Sequence, residues 1–178
     1  MEKKFTLPGP HLWTRERARE IRGQVESLLQ TLASGDVLIM DCSDVEVFDY
    51  SFANELFGKL VISLPKDYQG RFLVVEGLTT YTRENLAKAL ESLNLAMLER
   101  KGRKREILGK IHPVDRETYD AVVKAKGSVT SAVLTNKLGI NVNAMNERLT
   151  KLVGLALVRR EKGVSSAGRE QFEYSAVV

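Results

Sequence analysis

Residues 37–64 read VLIMDCSDVEVFDYSFANELFGKLVISL, and this segment decides the fold class of the first part of the chain. The apolar run Val37-Leu38-Ile39-Met40 shows no alternation and ends at Asp41, which predicts a strand buried on both faces. A second pattern with helical spacing then comprises Phe52, Leu56, Phe57, Leu60, Val61 and Leu64. We therefore predict a strand followed by a helix that begins near Asp49, with Glu55 and Lys59 as a surface pair.

The flanking segments repeat this alternation of strands and helices. Residues 5–7 predict an edge strand, and Thr14 predicts the N-cap of a helix that ends at Ser34-Gly35. The arginines of that helix predict either a solvated mixed-charge face or a phosphate-binding face; they are Arg15, Arg17, Arg19 and Arg22.

After the deciding segment, residues 65–70 predict a turn and residues 71–76 a second buried strand. A helix capped by Thr82 should follow, with its inward residues at Leu86, Leu90, Leu93 and Met97. Strands and helices that alternate in this way predict an α/β layer with right-handed crossovers. The basic run at residues 100–105 predicts a charged hairpin tip at a sheet edge, or a contact with nucleic acid.

The strand end and helix start in the deciding segment resemble the STAS-like domains, which are relatives of the anti-sigma-factor antagonists. Those antagonists carry Asp-Ser/Thr-Ser-Gly at this helix start, and a partner kinase phosphorylates the second hydroxyl. The resemblance places Asp49 on the motif's Asp and Ser51 on the phosphorylated hydroxyl, whereas Tyr50 and Phe52 depart from the motif. It implies a partner-docking site at Asp49 and Ser51, and an ATP-binding kinase-like or anti-sigma-type protein as the partner.

Composition excludes several classes of protein. The single cysteine, Cys42, excludes an internal disulfide framework, and the two histidines lack metal-ligand spacing. No apolar run reaches the ~20 residues of a membrane span, and the first ten residues lack a signal-peptide core, so a bacterial cytoplasmic setting without membrane contact is expected.

An enzymatic role is not expected from the sequence. Asp41, Asp44 and Asp49 follow a strand end and offer carboxylates to Mg²⁺, which leaves a small-molecule or metal site as an alternative. No glycine-rich phosphate loop follows either strand, and no nucleophile stands beside a base in the sequence. We expect no catalytic residues, no resident metal and no cofactor.

Charge and a linker divide the chain into two predicted domains, residues 1–109 and residues 110–178. The first holds 16 basic and 16 acidic residues, whereas the second holds 11 basic and 7 acidic residues, so the net charge of +4 lies in the second. The second domain is predicted to be mainly α-helical, beginning with a helix at Asp115 whose inward residues are Tyr119 and Val122.

Two helices and a strand pair follow in this second domain. A short helix should end at Leu138-Gly139, where glycine permits a positive φ, and the next should begin near Asn141 with Met145, Leu149 and Leu152 inward. Residues 154–160 and 171–175 predict strands joined by a Gly/Ser-containing loop.

This arrangement resembles the winged helix-turn-helix domains of bacterial transcription regulators, in which the second helix of the motif enters the major groove of DNA. By position, the groove-facing residues would be Asn141, Asn143, Ala144, Glu147, Arg148 and Lys151. The residues that would meet phosphates are Arg159, Arg160, Lys162 and Arg169.

The sequence thus predicts a cytoplasmic regulator that binds duplex DNA, possesses a STAS-like domain for a protein partner, and is switched at Ser51. A homodimer on a two-fold DNA site is the expected route to specificity. The alternative from another class is a protein-interaction adaptor of an anti-sigma or kinase-like ATPase system that does not bind DNA.

Overall fold

The apolar run of the deciding segment forms strand β3 (Val37–Asp41), whose residues are all buried. The structure, a computed structural model, describes residues 1–177, and Val178 lies outside the described residues. The chain divides into two compact units, Met1–Lys110 and Ile111–Val178.

The first unit is built on a five-stranded sheet with strand order β1-β3-β5-β6-β7. The strands beside β3 are β1 (Glu2–Thr6), β5 (Phe72–Glu76), β6 (Ala96–Lys101) and β7 (Lys104–Gly109). The pairs from β1 through β6 are parallel, and only β7 pairs in the antiparallel sense. The predicted α/β class is therefore confirmed, and the sheet is mostly parallel. A small parallel pair, β2 (His11–Leu12) and β4 (Val47–Phe48), accompanies this sheet.

The first helix, α1 (Arg15–Thr31), begins as predicted. The Thr14 hydroxyl accepts a hydrogen bond from the Arg17 amide at 3.3 Å, which satisfies one of the amide groups left free at a helix start. Thr14 adopts a φ of 73°, an unusual conformation for a β-branched residue. The buried residues of α1 are Ala18, Ile21, Val25 and Leu29, which recur at helical spacing. The helix ends at Thr31, before the predicted end at Ser34-Gly35, because Leu32 already has an extended backbone.

The helix of the deciding segment is continuous but not uniform. It runs through α2 (Tyr50–Ala53), a π-helical turn at Asn54–Gly58, and α3 (Lys59–Asp67). The prediction that a turn begins at Pro65 is wrong, because α3 continues to Asp67 with Pro65 inside it. A proline this close to a helix end removes one backbone hydrogen bond from the last turns and leaves the rest of the ladder intact.

The next helix, α4 (Thr80–Ser92), begins earlier than predicted. Its N-cap is Thr79, whose hydroxyl accepts from the Thr82 amide at 3.1 Å, so Thr82 is a buried residue of the first turn rather than the cap. Met97 belongs to β6 and not to this helix, because the helix ends at Ser92 and Asn94 takes a φ of 54°.

The basic run forms the tip of the β6–β7 hairpin at the edge of the sheet. This confirms the predicted hairpin tip. Gly102 turns the chain there with a φ of 59°. Two basic residues of this run form ion pairs with carboxylates: Lys101 Nζ lies 2.8 Å from Glu106, and Arg100 Nε lies 2.5 Å from Glu76.

The second unit combines three helices with a small antiparallel sheet. The helices are α5 (Pro113–Lys124), α6 (Ser131–Leu138) and α7 (Val142–Gly154). The sheet has the order β8-β10-β9, formed by β8 (Val129–Thr130), β9 (Val158–Val164) and β10 (Glu170–Ala176). Helix α5 starts two residues before the predicted Asp115 because Pro113 occupies its first turn, where a missing N–H costs nothing.

The core of the second unit matches the predicted periodicity. Met145, Leu149 and Leu152 of α7 are fully buried, and Tyr119 and Val122 of α5 are nearly so. Across residues 1–177, no helix has the length and apolarity that crossing a bilayer requires.

Candidate functional site

The turn between α6 and α7 fixes how α7 is presented. Gly139 ends α6 in the left-handed conformation, with φ 62° and ψ 33°, and this confirms the prediction of a positive φ there. Asn141 then caps α7, because its side-chain oxygen accepts from the Ala144 amide at 2.8 Å. The side chain of Asn141 is therefore committed to the helix start, although the residue remains exposed.

One face of α7 is polar and exposed while the opposite face is buried. Asn143, Glu147 and Lys151 are exposed, and Ala144 is half-buried. A shallow depression at the start of α7 is lined by Asn141, Val142, Asn143, Ala144 and Glu147. Five of the six groove-facing residues predicted from the sequence therefore lie on the accessible side of this helix.

Arg148 behaves differently from these residues. Its side chain is 15% exposed, and Nη1 donates to the Val114 carbonyl and to Glu117 Oε2, both at 3.3 Å. These contacts turn the guanidinium toward α5 and tie α7 to that helix. In this conformation Arg148 acts as a packing residue and does not extend the exposed polar face.

Two residues that the sequence prediction omitted complete that face. Asn146 and Thr150 are exposed, and with Asn143 and Glu147 they recur at positions i, i+3, i+4 and i+7 of the helix. This spacing places the four side chains on one stripe. The signal was present in the sequence, since the stripe is what remains opposite Met145, Leu149 and Leu152.

The hairpin formed by β9 and β10 has two unlike faces. The register pairs Arg160 with Tyr174 and Lys162 with Phe172, so these four side chains share a face. The Arg160 guanidinium lies 4.7 Å from the Phe172 ring centroid, a cation–π contact, and Phe172 is 45% exposed.

The opposite face of the hairpin carries the pairs Arg159 with Ser175 and Glu161 with Glu173. Of the four basic residues predicted to meet phosphates, Arg160 and Lys162 thus lie on one face and Arg159 on the other. Arg169 lies in the exposed turn, where the Ser165 hydroxyl accepts from its amide at 3.1 Å.

In the first unit, Asp49 caps the helix of the deciding segment, close to the predicted start. The Asp49 carboxylate accepts from the Phe52 amide at 2.7 Å, and Ser51 follows as the second helical residue, half-buried. Phe52 is fully buried, so the residue that replaces the motif's glycine belongs to the core. Tyr50 is 39% exposed and its hydroxyl lies 2.8 Å from that of Ser92.

A cluster of arginines faces this helix from α1. The Glu55 carboxylate lies 3.4 Å from Arg15 Nη1, 3.3 Å from Arg19 Nε and 2.9 Å from Arg22 Nη1. We call these four residues the α1–α2 seam. Burial opposes the charge of Glu55, but the Coulomb attraction of Arg22 and the contacts with Arg19 and Arg15 outweigh it and hold the pKa of Glu55 below its ordinary value.

The seam corrects one expectation from the sequence. Glu55 is 6% exposed and pairs with α1, so the predicted surface pair with Lys59 is wrong. The π-helical turn that begins at Asn54 accompanies this change, and such turns recur at functional sites. Arg17 alone among the four arginines faces away from the seam, toward Glu20 at 2.7 Å.

The three carboxylates considered for a metal site, Asp41, Asp44 and Asp49, do not form a cluster. The Ser43 hydroxyl and amide donate to Asp41, whose pKa lies below its ordinary value chiefly through the hydroxyl bond. Asp49 is occupied as a cap. Within residues 1–177, no three His, Cys, Asp or Glu side chains lie close enough together to hold a metal ion.

Comparisons with known proteins add little to this geometry. No family model and no curated protein matches the chain. A solved structure of a possible transcriptional regulator from Methanosarcina mazei Go1 is 13% identical, with 47% of this chain and 74% of that chain covered and a TM-score of 0.34. A similarity of this size supports no inference about fold or function.

Proposed function

We propose that this chain is a bacterial cytoplasmic regulator that binds duplex DNA through its second unit and a protein partner through its first. The observation that carries the proposal is the exposed polar stripe of α7, which follows the left-handed turn at Gly139 and is anchored by a buried apolar face. Helix, turn, helix and hairpin in this order resemble a winged helix-turn-helix domain.

The stripe has side chains suited to base edges. Asn143 and Asn146 offer an amide that pairs with the N6 and N7 positions of adenine, and Glu147 accepts from the cytosine amino group. Helix α7 has 13 residues, a length of about 20 Å, which a major groove about 12 Å wide admits end-on or along its axis. We propose these residues, with Thr150 and Ala144, as the base-facing set.

Phosphate contacts would come from the basic residues around the stripe. Lys151 is 64% exposed at the far end of α7, and Arg160 and Lys162 share a face of the hairpin with Arg169 at its tip. Phosphate contacts orient a protein on the duplex and carry no sequence information themselves. A homodimer on a two-fold site would multiply this modest set of contacts.

For the first unit we propose a STAS-like domain that docks a kinase-like ATP-binding or anti-sigma-type protein at Asp49 and Ser51. The mostly parallel sheet, the Asp49 cap and the placement of Ser51 at the second helical position support this proposal. Phosphate on Ser51 would change the charge of the docking surface by about −1.5 to −2. We propose no catalytic activity, metal or cofactor for the chain.

The adaptor remains the second candidate, and one observation favours it. Val133 of α6 and Val142 at the start of α7 are each 54% exposed, although both are branched and apolar. Exposed apolar side chains next to a polar stripe suit a protein partner as well as a DNA backbone. In that case the α6–α7 surface would dock a protein.

Binding of the full chain to duplex DNA at several salt concentrations separates the candidates. Lys162→Ala should weaken binding to every sequence and lower the magnitude of the log–log salt slope by about 1. Asn143→Ala should cost about 1–3 kcal/mol on a selected site and little on random DNA. Lys66→Ala, a substitution in the first unit, is the charge control and should change neither. If the full chain shows no salt-dependent DNA binding at low ionic strength, the adaptor replaces this proposal.

A further inference from the structure

The three arginines of the α1–α2 seam hold Glu55 unequally. Arg22 is 22% exposed, lies 2.9 Å from the Glu55 carboxylate, donates to the Glu55 carbonyl at 3.1 Å and pairs with Glu26 at 3.4 Å. Arg15 is 48% exposed, and its contacts with Glu55 and the Asn54 side chain measure 3.4 and 3.5 Å. Charge-assisted bonds are usually about 2.7–2.9 Å long, so Arg15 is loosely held and Arg22 is firmly held.

The charges of the seam are also distributed unequally. Three guanidiniums, of Arg15, Arg19 and Arg22, meet two carboxylates, Glu55 and Glu26. One positive charge is therefore in excess, and it lies at the end with Arg15 and Arg19, because Glu26 pairs with Arg22. Arg19 is 61% exposed and, like Arg15, touches Glu55 through one nitrogen only. Both side chains are about half exposed, so part of each guanidinium is accessible to solvent.

Ser51 lies beside this end of the seam. Residues three and four positions apart on a helix are neighbours, with about 5–6 Å between their Cβ atoms, and Ser51 precedes Asn54 by three and Glu55 by four. Arg15 contacts both of those residues. Phe52 and Ala53 are buried in the core and Ser51 is only half-buried, so Ser51 is open to the outside of the helix on the side where Arg15 makes its contacts.

We propose that Arg15, assisted by Arg19, is the intrachain receptor for a phosphate group on Ser51. This inference rests on the proposed function, in which a partner kinase transfers the γ-phosphate of ATP to the Ser51 oxygen, with ADP as the leaving group and the hydroxyl proton lost to solvent. A guanidinium binds a phosphate dianion through paired N–H···O bonds, which a single carboxylate contact at 3.4 Å does not match.

Arg15 could leave Glu55 for the phosphate without leaving the buried Glu55 carboxylate unpaired. When Arg15 turns to the phosphate, Glu55 keeps Arg22, its shortest contact and the arginine with the smallest exposed fraction. The phosphate would then be partly neutralised within the chain, and Arg15 would be withdrawn from the surface offered to a partner. Phosphorylation would thus alter the docking surface twice, by adding an anion and by recruiting a cation.

The test uses the full chain with phosphoserine installed at position 51 by genetic encoding, so that no kinase is required. The ³¹P resonance is titrated to give the second pKa of the phosphate, which is about 6 in an exposed phosphoserine. The charged groups around this helix start are Arg15 and Arg19 from α1, and Asp49 and Glu55 from its own helix. Helix α4, which also packs against α2, adds the exposed charges of Lys88 and Glu91. We expect a pKa about 0.5–1 unit lower than that of the same protein unfolded in urea.

Arg15→Ala and Arg17→Ala form a matched pair on the same helix, because Arg17 faces Glu20 and not the seam. Arg15→Ala should abolish more than half of the pKa decrease, whereas Arg17→Ala should leave it unchanged. Equal pKa values in the parent and in Arg15→Ala overturn the inference, as does failure of the phosphoserine chain to fold. A candidate kinase that leaves Ser51 unmodified counts against the switch in the proposed function, and the installed phosphoserine still decides the role of Arg15.

Discussion

Replacing the Glu55 carboxylate by an amide should destabilise the first unit more than removing any other single carboxylate of α1 or of the π-helical turn. Glu55→Gln keeps the shape of the side chain but removes the shorter of the two carboxylate contacts of Arg22, which is 22% exposed, and leaves the 3.4 Å contact with Glu26. A hydrogen bond to a charged group contributes about 1.5–3 kcal/mol. The contacts with Arg15 and Arg19 add little, because those arginines are 48% and 61% exposed and solvent screens them. We expect a loss of about 2 kcal/mol in the free energy of unfolding.

The single tryptophan makes the assay specific for this unit. Trp13 lies two residues before α1 and is 47% exposed, so its fluorescence should report the unfolding of the seam in urea. With a urea dependence of about 1–3 kcal/mol/M, the midpoint should fall by about 1 M. Glu20→Gln is the matched control, because its pair with Arg17 has both partners about half exposed and is expected to contribute about 0–1 kcal/mol.

The pH dependence gives this prediction a second measurement. The pKa of Glu55 is lower in the folded chain than in the unfolded one, so its ionisation stabilises the fold above the unfolded value of about 4.3. That stabilisation is lost as pH falls through the lower, folded pKa. The difference between parent and Glu55→Gln should therefore be full at pH 7 and shrink below about pH 4. A Glu55→Gln chain as stable as Glu20→Gln at pH 7 would refute the reasoning.

Two other substitutions test the second unit. Gly139→Ala places a Cβ on a residue with a φ of 62° and nothing within 4 Å, so its cost of about 1–2 kcal/mol would be backbone strain alone. Gly154→Ala, also with open space around it but without a positive φ, should not destabilise the chain; equal losses in the two variants would contradict the left-handed turn. Arg148→Ala should lower the free energy of unfolding by about 1–2 kcal/mol through its bonds to α5, while the folded protein keeps its preference among DNA sequences. If Arg148→Ala changes the preference among DNA sequences as much as Asn143→Ala does, Arg148 contacts bases and this reasoning is wrong.

Local signals carried most of the fold prediction. The unbroken apolar run of β3, the helical spacing after Asp49 and the glycine after Leu138 each depend on neighbours in sequence, and each was confirmed. The misplaced cap of α4 shows the limit of such signals. Thr79 and Thr82 are both threonines before an apolar stripe, and only the hydrogen bond between them shows which begins the helix.

Residues whose partners are distant in sequence escaped prediction. Glu55 stands four residues before Lys59, which is the spacing of a surface pair, yet its partners lie 33 to 40 residues away on α1. Arg148 likewise has polar neighbours along α7, but its guanidinium bonds to α5 more than 30 residues earlier. A side chain at the boundary of a helix face can turn either way, and tertiary contacts decide which.

The π-helical turn at Asn54–Gly58 also affects how this chain can be compared with others. A π-helical turn holds one residue more than the α-helical turn it replaces, so removing one residue there would restore a regular helix with both ends in place. Alignment methods place insertions in loops, whereas the natural position for a gap here is mid-helix. A relative without the extra residue would match α3 only after a one-residue shift, and an ungapped alignment would pair Glu55 with a position that faces a different side of the helix.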